Sequence, residues 1–427
     1  MVMEELKGKR LLVLGGSLWK EAIRDFADTY GVTIIATGND TSAGIFKIAD
    51  EGYNVNSTDH EGMKKLIREK NIDGVYMGGS EAVISAACVY LGELGYPCYC
   101  TKEQWEFLQN KKNFKELCTR FDVPVVPKYD VTCENIDSQI EKIDFPVITK
   151  PADSCGSDGF SVCYNGDDLK RGYDFAAKNS STGSVVVEKF VKNKGVVVFY
   201  TFSNGRMHFS GLEDKYPIRY TEGGSYVGGM FAFESRFTEE YRRLFDEKLE
   251  RMFSSIGIRE GSVWIEVFHD GEEYYFNEVG FRYGGSISVY PVDYLYGINQ
   301  VHADMYYALT GKSNIHGYNT LIPEKIERKK HYCVYPIYVS DGYIASVEGE
   351  EAVREMKDVV SLTLTKGAGD TVAKTGSFSQ IFALVHFVAN DLCDLEKTVD
   401  EIHSRLKALA EDGENKLYRI LPPDIIL

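Results

Sequence analysis

GSVWIEVFHDGEEYYFNEVGFRYGGS, residues 261–286, is the stretch whose reading decides this chain. Two apolar, aromatic-rich runs flank a turn signal, His269-Asp270-Gly271-Glu272. Each run holds one carboxylate, Glu266 and Glu278. A buried strand tolerates a charge only beside a partner, because stripping its water costs on the order of several kcal/mol. Two such acids on adjacent strands predict a shared cation. Arg282 follows closely after Glu278. Acids for Mg²⁺ and an arginine for a phosphoryl oxygen are the equipment of phosphoryl transfer.

Register decides whether the two acids can meet. Side chains in paired strands share a face only where the ladder allows it. A two-residue turn at Asp270-Gly271 would set His269 opposite Glu272, and Glu266 would then face the side of Tyr275 and Asn277. Both acids reach one cation only if the loop has an odd number of residues or the ladder carries a bulge. A non-ideal connection is therefore expected despite the Asp-Gly signal.

At 427 residues the chain exceeds a single core, and two to four domains are expected. Apolar residues make up 44% of it, enough to fold. The net charge of −16 argues against nucleic acid as a partner but leaves room for a nucleotide, which needs only a few local cations. Nine cysteines lie without a framework; Cys98-Tyr99-Cys100 lacks the second half of a zinc site. Free thiols fit a reducing compartment. The charged start, MVMEELKGKR, leads into a strand and does not read as a signal peptide. No apolar run reaches the roughly 20 residues of a membrane span. A cytoplasmic protein is expected.

Residues 1–100 alternate strands (10–14, 32–36, 73–77) with helices (19–30, 62–70), which predicts a parallel sheet with helices on both faces. Gly15-Gly16-Ser17 and Gly78-Gly79-Ser80 fall at carboxyl ends of strands, where ligands commonly bind. The first is not a full GxGxxG, so it reads as a topological turn, with a dinucleotide site as the weaker alternative. Thr101 reads as an N-cap for one helical run through Arg120 that contains Lys111 and Lys112. Strands follow at 125–129, 147–150, 185–190 and 195–202, then a helix at 237–256. The tail from about 317 reads as a small α+β lobe, with strands at 332–339, 344–348 and 371–375 and a helix over 395–409.

Residues 145–160, FPVITKPADSCGSDGF, bring Lys150 to the end of a strand before a Ser/Gly/Asp-rich loop. Gly156 and Gly159 permit turns that aim N–H groups into one space, an anion cradle; a flexible surface turn is the alternative. Residues 185–191, VVVEKFV, interrupt a buried run with Glu188-Lys189, as a hinge meeting a purine would, or an edge strand with two solvated charges.

Together these pieces resemble the ATP-grasp superfamily over about 103–288, of the carboxylate–amine ligase kind and related to its carboxylase and carbamoyl-phosphate-synthase branch. Asn110-Lys111 is similar to the first lysine motif. Phe145 to Pro151 matches the second lysine strand, with residues 154–159 as the phosphate loop. Glu188-Lys189-Phe190-Val191 matches the adenine hinge, and Glu266, Glu278 and Arg282 match the metal acids and the following arginine. The resemblance implies an N-terminal Rossmann-like domain (1–105), an ATP-grasp core (106–316) with a lid at about 122–188, and a C-terminal α+β lobe (317–427). It implies that Lys111 and Lys150, with Ser154, Gly156, Ser157 and Gly159, contact ATP phosphates. Lys189 and Val191 would read the adenine edge, beside Phe190, with Glu188 near the amino group. Glu266 and Glu278 would hold one or two Mg²⁺, for which Mn²⁺ can substitute. Arg282 and Lys150 would be catalytic.

Two departures stand out. Gly280 occupies the position where the family commonly has a metal-ligating Asn, so a second metal is in question. Residues 192–197 offer no carboxylate for the ribose. On the substrate side, residues 222–230, EGGSYVGGM, suggest a loop that orders on binding. Gly284 and Gly285 could present N–H groups to an acyl phosphate, and Ser286 could contact a carboxylate. Cys155 reads as a small residue in the phosphate loop. The implied function is ATP-dependent activation of a carboxylate as an acyl phosphate and its coupling to an amine. The alternatives are a bicarbonate-dependent carboxylase-type enzyme and an inactive nucleotide-binding module. Partners are then small-molecule carboxylates and amines, and the frequency of dimers in the family admits a homodimer.

Overall fold

Leu11, Leu12 and Val13 run without a polar break because the strand Arg10–Val13 is covered on both faces. In the computed structural model it pairs in parallel with Thr33–Thr37 and Gly74–Tyr76, and Glu51–Tyr53 completes a four-stranded sheet. Helices His60–Glu69 and Glu81–Leu94 cover the face of Leu12; Lys20–Tyr30 and Gln300–Thr310 cover that of Leu11 and Val13. The structure describes residues 4–152, 160–192, 195–221, 226–329 and 331–427. The two glycine turns abut: Gly16 and Gly78 have φ of 83° and 69°, and a Cβ on Gly78 would lie 3.4 Å from the Gly16 nitrogen.

Thr101 caps as expected, in a capping box with Gln104. The helical run it opens does not continue to Arg120. Helix Lys102–Gln109 stops at Asn110, whose extended backbone breaks it and whose side chain accepts from the Lys112 and Asn113 amides to start Lys111–Arg120. Lys111 therefore sits on a first turn, not inside a helix.

The largest element is a nine-stranded antiparallel sheet. Its order is Tyr274–Gly280, Gly261–His269, Val196–Ser203, Arg206–Ile218, Val227–Phe233, His331–Val339, Ile381–Ala389 and Val359–Leu364, with Leu417–Tyr418 beside His331–Val339. The tail's strands thus continue the central sheet. The helix expected over 395–409 is Leu392–Arg405, and Lys407–Leu409 is a strand paired with Ser346–Glu348. The strand expected over 125–129 shrinks to Lys128–Tyr129, since Pro124 and Pro127 lack amide donors. A smaller antiparallel sheet, Lys128–Tyr129, Val185–Lys189, Val147–Pro151 and Ser161–Cys163, is backed by helix Gly166–Lys178.

The loop expected at 222–230 is overturned in its second half. Residues 222–225 lie outside the described residues, but Val227–Phe233 is a fully buried strand. Gly228 and Gly229 sit in it because the Phe231 ring and Ile218 stand 2.4 Å from where their Cβ atoms would be.

Candidate active site

The hairpin at 261–280 meets the register requirement through a bulge. Its loop holds four residues, Asp270 to Glu273, with the Asp270 carboxylate accepting from the Glu272 and Glu273 amides. An even loop alone would separate the acids. The register shifts between Glu266 and Val267, Asn277 is left over, and Glu266 lies directly opposite Glu278. The extra residue is used: Asn277 Nδ2 donates to Glu266 Oε2 at 2.9 Å.

Each acid already holds a cation. Lys215 Nζ donates to Glu266 Oε1 at 3.1 Å, and Lys111 pairs with Glu278. Burial would raise the Glu266 carboxyl, but Lys215 and Asn277 outweigh it and leave it below the ordinary value, hence ionised. Across the cleft, Glu188 is buried at 6% exposure and takes two lysines, Lys150 at 2.5 Å and Lys115 at 3.1 Å. The same balance holds there: burial pushes up, and Lys115 with Lys150 pulls further down. Lys111 and Lys115 share one helix face, so helix Lys111–Arg120 ties the metal hairpin to the small sheet. Each Glu188 oxygen takes one lysine, which leaves a further lone pair on each for the adenine amino contact expected of it. At the hinge, the Lys189 and Phe190 amides donate to Pro127 and Pro146 carbonyls, and Lys189 Nζ donates to the Tyr275 hydroxyl. Val191 packs with Val126 and Tyr275. Ser154, Cys155, Gly156, Ser157 and Gly159 lie outside the described residues.

Arg282 reaches back to the N-terminal sheet. Its Nε and Nη2 donate to Glu81 Oε1 at 3.1 and 2.7 Å, Nη1 donates to the Tyr283 carbonyl, and the guanidinium lies 5.3 Å from the Trp264 ring centre. Glu81 opens the helix after the second glycine turn. Tyr283 packs edge-on to Trp19, 5.2 Å between ring centres, so the glycine turns brace Arg282 from behind. Ser286 donates to Glu213 Oε2 at 3.0 Å, and Gly284 N–H donates to Ser288. That hydrogen bond removes the Gly284 amide from the N–H pair expected for an acyl phosphate.

Glu266, Glu278, Arg282, Gly284, Gly285 and Ser286 line one cavity of about 380 Å³. Lys150, Lys111 and the hinge are not among its lining residues; Lys111 adjoins it through its pair with Glu278, and Lys150 is joined to the same helix through Glu188 and Lys115. Sequence reasoning missed Lys115, Lys215, Glu213, Glu81 and Trp264. Lys115 carried a signal in its i+4 spacing from Lys111. No such signal exists for Glu81, which folds to Arg282 from 201 positions away.

Trp264 explains Gly280. The two residues are directly paired, and a Cβ on Gly280 would lie 2.1 Å from Trp264 Nε1. Gly280→Asn is therefore expected to destabilise the fold by about 1–3 kcal/mol through overpacking. In a thermal-unfolding double-mutant cycle with Trp264→Ala, the coupling should reach at least about 1 kcal/mol. Additive losses would contradict this.

Glu213 gives a pH signature. Burial pushes its carboxyl up from 4.5 to about 8, against the pull of Ser286 and Lys215. The folded state then holds a proton that the unfolded state has released, so stability falls as pH rises from about 4.5 to about 8. Glu213→Gln is expected to remove that slope, gaining melting temperature over wild type at pH 8 relative to pH 5. Parallel curves would refute it.

Among the described residues, no group of three or more His, Cys, Asp or Glu side chains could hold a metal. Two opposed carboxylates still suit Mg²⁺, which keeps much of its water and takes one or two protein carboxylates besides substrate phosphates. The lysines now paired with both acids mark the face as one that accepts positive charge. The cations Lys111, Lys115, Lys150, Lys215 and Arg282 gather here in a chain whose net charge is −16, and such a group suits a polyphosphate.

The fold is the ATP-grasp fold. The family model for the ATP-binding domain of the carbamoyl-phosphate synthase L chain matches residues 110–198. A formate-dependent phosphoribosylglycinamide formyltransferase of Mannheimia succiniciproducens is 25% identical over 282 residues, 65% of this chain and 70% of that one. Phosphoribosylglycinamide synthetase from Anaerococcus prevotii superposes with a TM-score of 0.73 at 15% identity, covering 94% of this chain and all of that one. The biotin carboxylase domain of Hydrogenobacter thermophilus 2-oxoglutarate carboxylase, in complex with MgADP, ADP and bicarbonate, gives 0.69 at 20% identity over 96% and 91%. No helix among the described residues is long and apolar enough to cross a membrane.

Proposed function

We propose that this chain is an ATP-dependent carboxylate–amine ligase, acting in the cytoplasm, with a homodimer as its assembly. The observation that carries the reading is the direct opposition of Glu266 and Glu278, each against a lysine, in one cavity with Arg282. Glu266 and Glu278 would hold Mg²⁺, one ion or two, or Mn²⁺ in its place. That ion would neutralise charge on the β- and γ-phosphates. Lys111 and Lys150 would exchange their present carboxylate partners for phosphate oxygens, helped by the backbone of residues 154–159. The purine would lie at the hinge, against Val126, Val191 and Tyr275, its edge read by the main chain of Lys189 and Val191. A lid of about 122–188, between the 1–105 unit and the 317–427 lobe, would close over it and keep water from the reactive product.

In the reaction, a carboxylate oxygen of the substrate attacks the γ-phosphorus and the bond to ADP breaks, leaving an acyl phosphate. Arg282 steadies the transferred group. The amine nitrogen then attacks the acyl carbon, phosphate leaves and the nitrogen sheds a proton, giving an amide. Positioning and charge neutralisation supply the rate, so no protein nucleophile is required. A phosphate-release screen over pooled carboxylic acids and amines tests this, with Glu278→Ala as control. The expected result is release that needs both an acid and the wild-type Glu278, together with an amide product. ADP release indifferent to every acid, with no amide formed, would overturn it.

A further inference from the structure

We infer that the acid activated here carries an apolar side chain, seated against Phe231, Phe378, Ile381 and Leu384; this rests on the ligase reading above. The cavity changes character across the sheet. All the charged strand residues, Glu278, Glu266, Glu213 and Lys215, come from strands at one side, where Val197, Phe199 and Trp264 also line the cavity. Phe231, Pro336, Ile381 and Leu384, all without charge, come from strands further along the sheet. Polar groups at one end and an apolar wall at the other fit one molecule with a carboxylate head and a hydrocarbon body. The volume agrees. About 380 Å³ is the space of roughly a dozen waters at ~30 Å³ each, divided between the ion and phosphoryl group at Glu266, Glu278 and Arg282 and the acid at the apolar wall. An acid as small as formate or bicarbonate would leave the apolar wall wet.

Phe378 adds an independent sign. Its ring is 48% exposed at the cavity mouth, yet the turn that carries it is fixed. Gln380, 1% exposed, donates to the Val339 carbonyl at 2.9 Å and accepts from the Thr375 and Gly376 amides at 2.8 and 2.7 Å. Tyr220 donates to the Ser377 carbonyl at 2.7 Å. An aromatic ring held out on a rigid turn loses little freedom when a ligand covers it. The acid, not the amine, takes this place because it must touch the γ-phosphate first, and the cavity opens directly from Glu266, Glu278 and Arg282.

The test measures initial phosphate release at fixed MgATP and a fixed amine pool. Two homologous series are compared, formate to hexanoate and glycine to norleucine, with succinate, aspartate and bicarbonate as polar counterparts. In the series that turns over, kcat/KM should rise about fourfold per added methylene until the cavity is full. Phe378→Asp should lower kcat/KM for the longest acid at least about tenfold while leaving MgADP affinity unchanged. Highest rates with formate or glycine would overturn this inference and leave the ligase standing, as would a chain-length preference confined to the amine or indifference to Phe378→Asp; highest rates with bicarbonate would overturn both in favour of a carboxylase. Absence of turnover with every acid would remove both.

Discussion

Glu278→Gln is expected to cut ATP-dependent turnover by about 10²–10³-fold or more, the range seen when one preorganised charge-stabilising group is removed. Its cost to folding should be small. The carboxylate is 27% exposed and its partner Lys111 is 66% exposed, so the lost ion pair is worth at most about 1 kcal/mol. Catalysis and stability separate cleanly here, which they would not at Glu266. That side chain is more deeply set, 18% exposed, and shared by Lys215 and Asn277, so removing its charge strands a partly buried ammonium. The check is steady-state phosphate release across Mg²⁺ concentrations beside a melting curve. Near-wild-type turnover in a folded Glu278→Gln protein would deny the carboxylate its role.

Arg282→Lys should lower turnover by about 10²-fold or more although the charge is kept. The guanidinium is fixed by Glu81, by the Tyr283 carbonyl and by the face of Trp264 at once. An ammonium offers neither the planar fork nor the stacking surface, so it cannot keep all three contacts and still face a phosphoryl group. Glu81→Gln serves as the companion variant. It weakens the anchor without entering the cavity, and a fall in kcat with KM for ATP held would mark Glu81 as a positioning residue. Equal activity of Arg282→Lys and wild type would show that only charge matters at this position.

The sequence made the chemistry more legible than the architecture. The two acids, their need for a bulge, Lys150 at the end of its strand and Arg282 were all readable because a charge inside an apolar run demands a partner. The bulge could be expected but not located; that Asn277 is the surplus residue is seen only in the register of the folded hairpin. Charges beside other charges gave no such signal. Glu213-Asp214-Lys215 looks like a solvated stretch, and only the folded sheet turns Glu213 and Lys215 into the cavity. The glycines of 228–229 suggest a loop by composition, whereas Phe231 and Ile218 occupy the space side chains would need. The break at Asn110 is a cap competing with a continuous helix, and local propensity alone does not decide between them. Most of the apolar wall of the cavity, Phe378, Ile381 and Leu384, comes from about a hundred positions after Arg282, in a region that reads by itself as a separate lobe.

The central claim is that one divalent ion and a triphosphate share the space between Glu266, Glu278, Lys111 and Lys150. Crystals grown with a non-hydrolysable ATP analogue and Mn²⁺, measured at the manganese absorption edge, test it most directly. The account predicts an anomalous peak bridging Glu266 and Glu278, with both lysines turned from their carboxylate partners to phosphate oxygens. A manganese peak elsewhere, with the Lys111–Glu278 and Lys150–Glu188 pairs intact beside bound nucleotide, would contradict it.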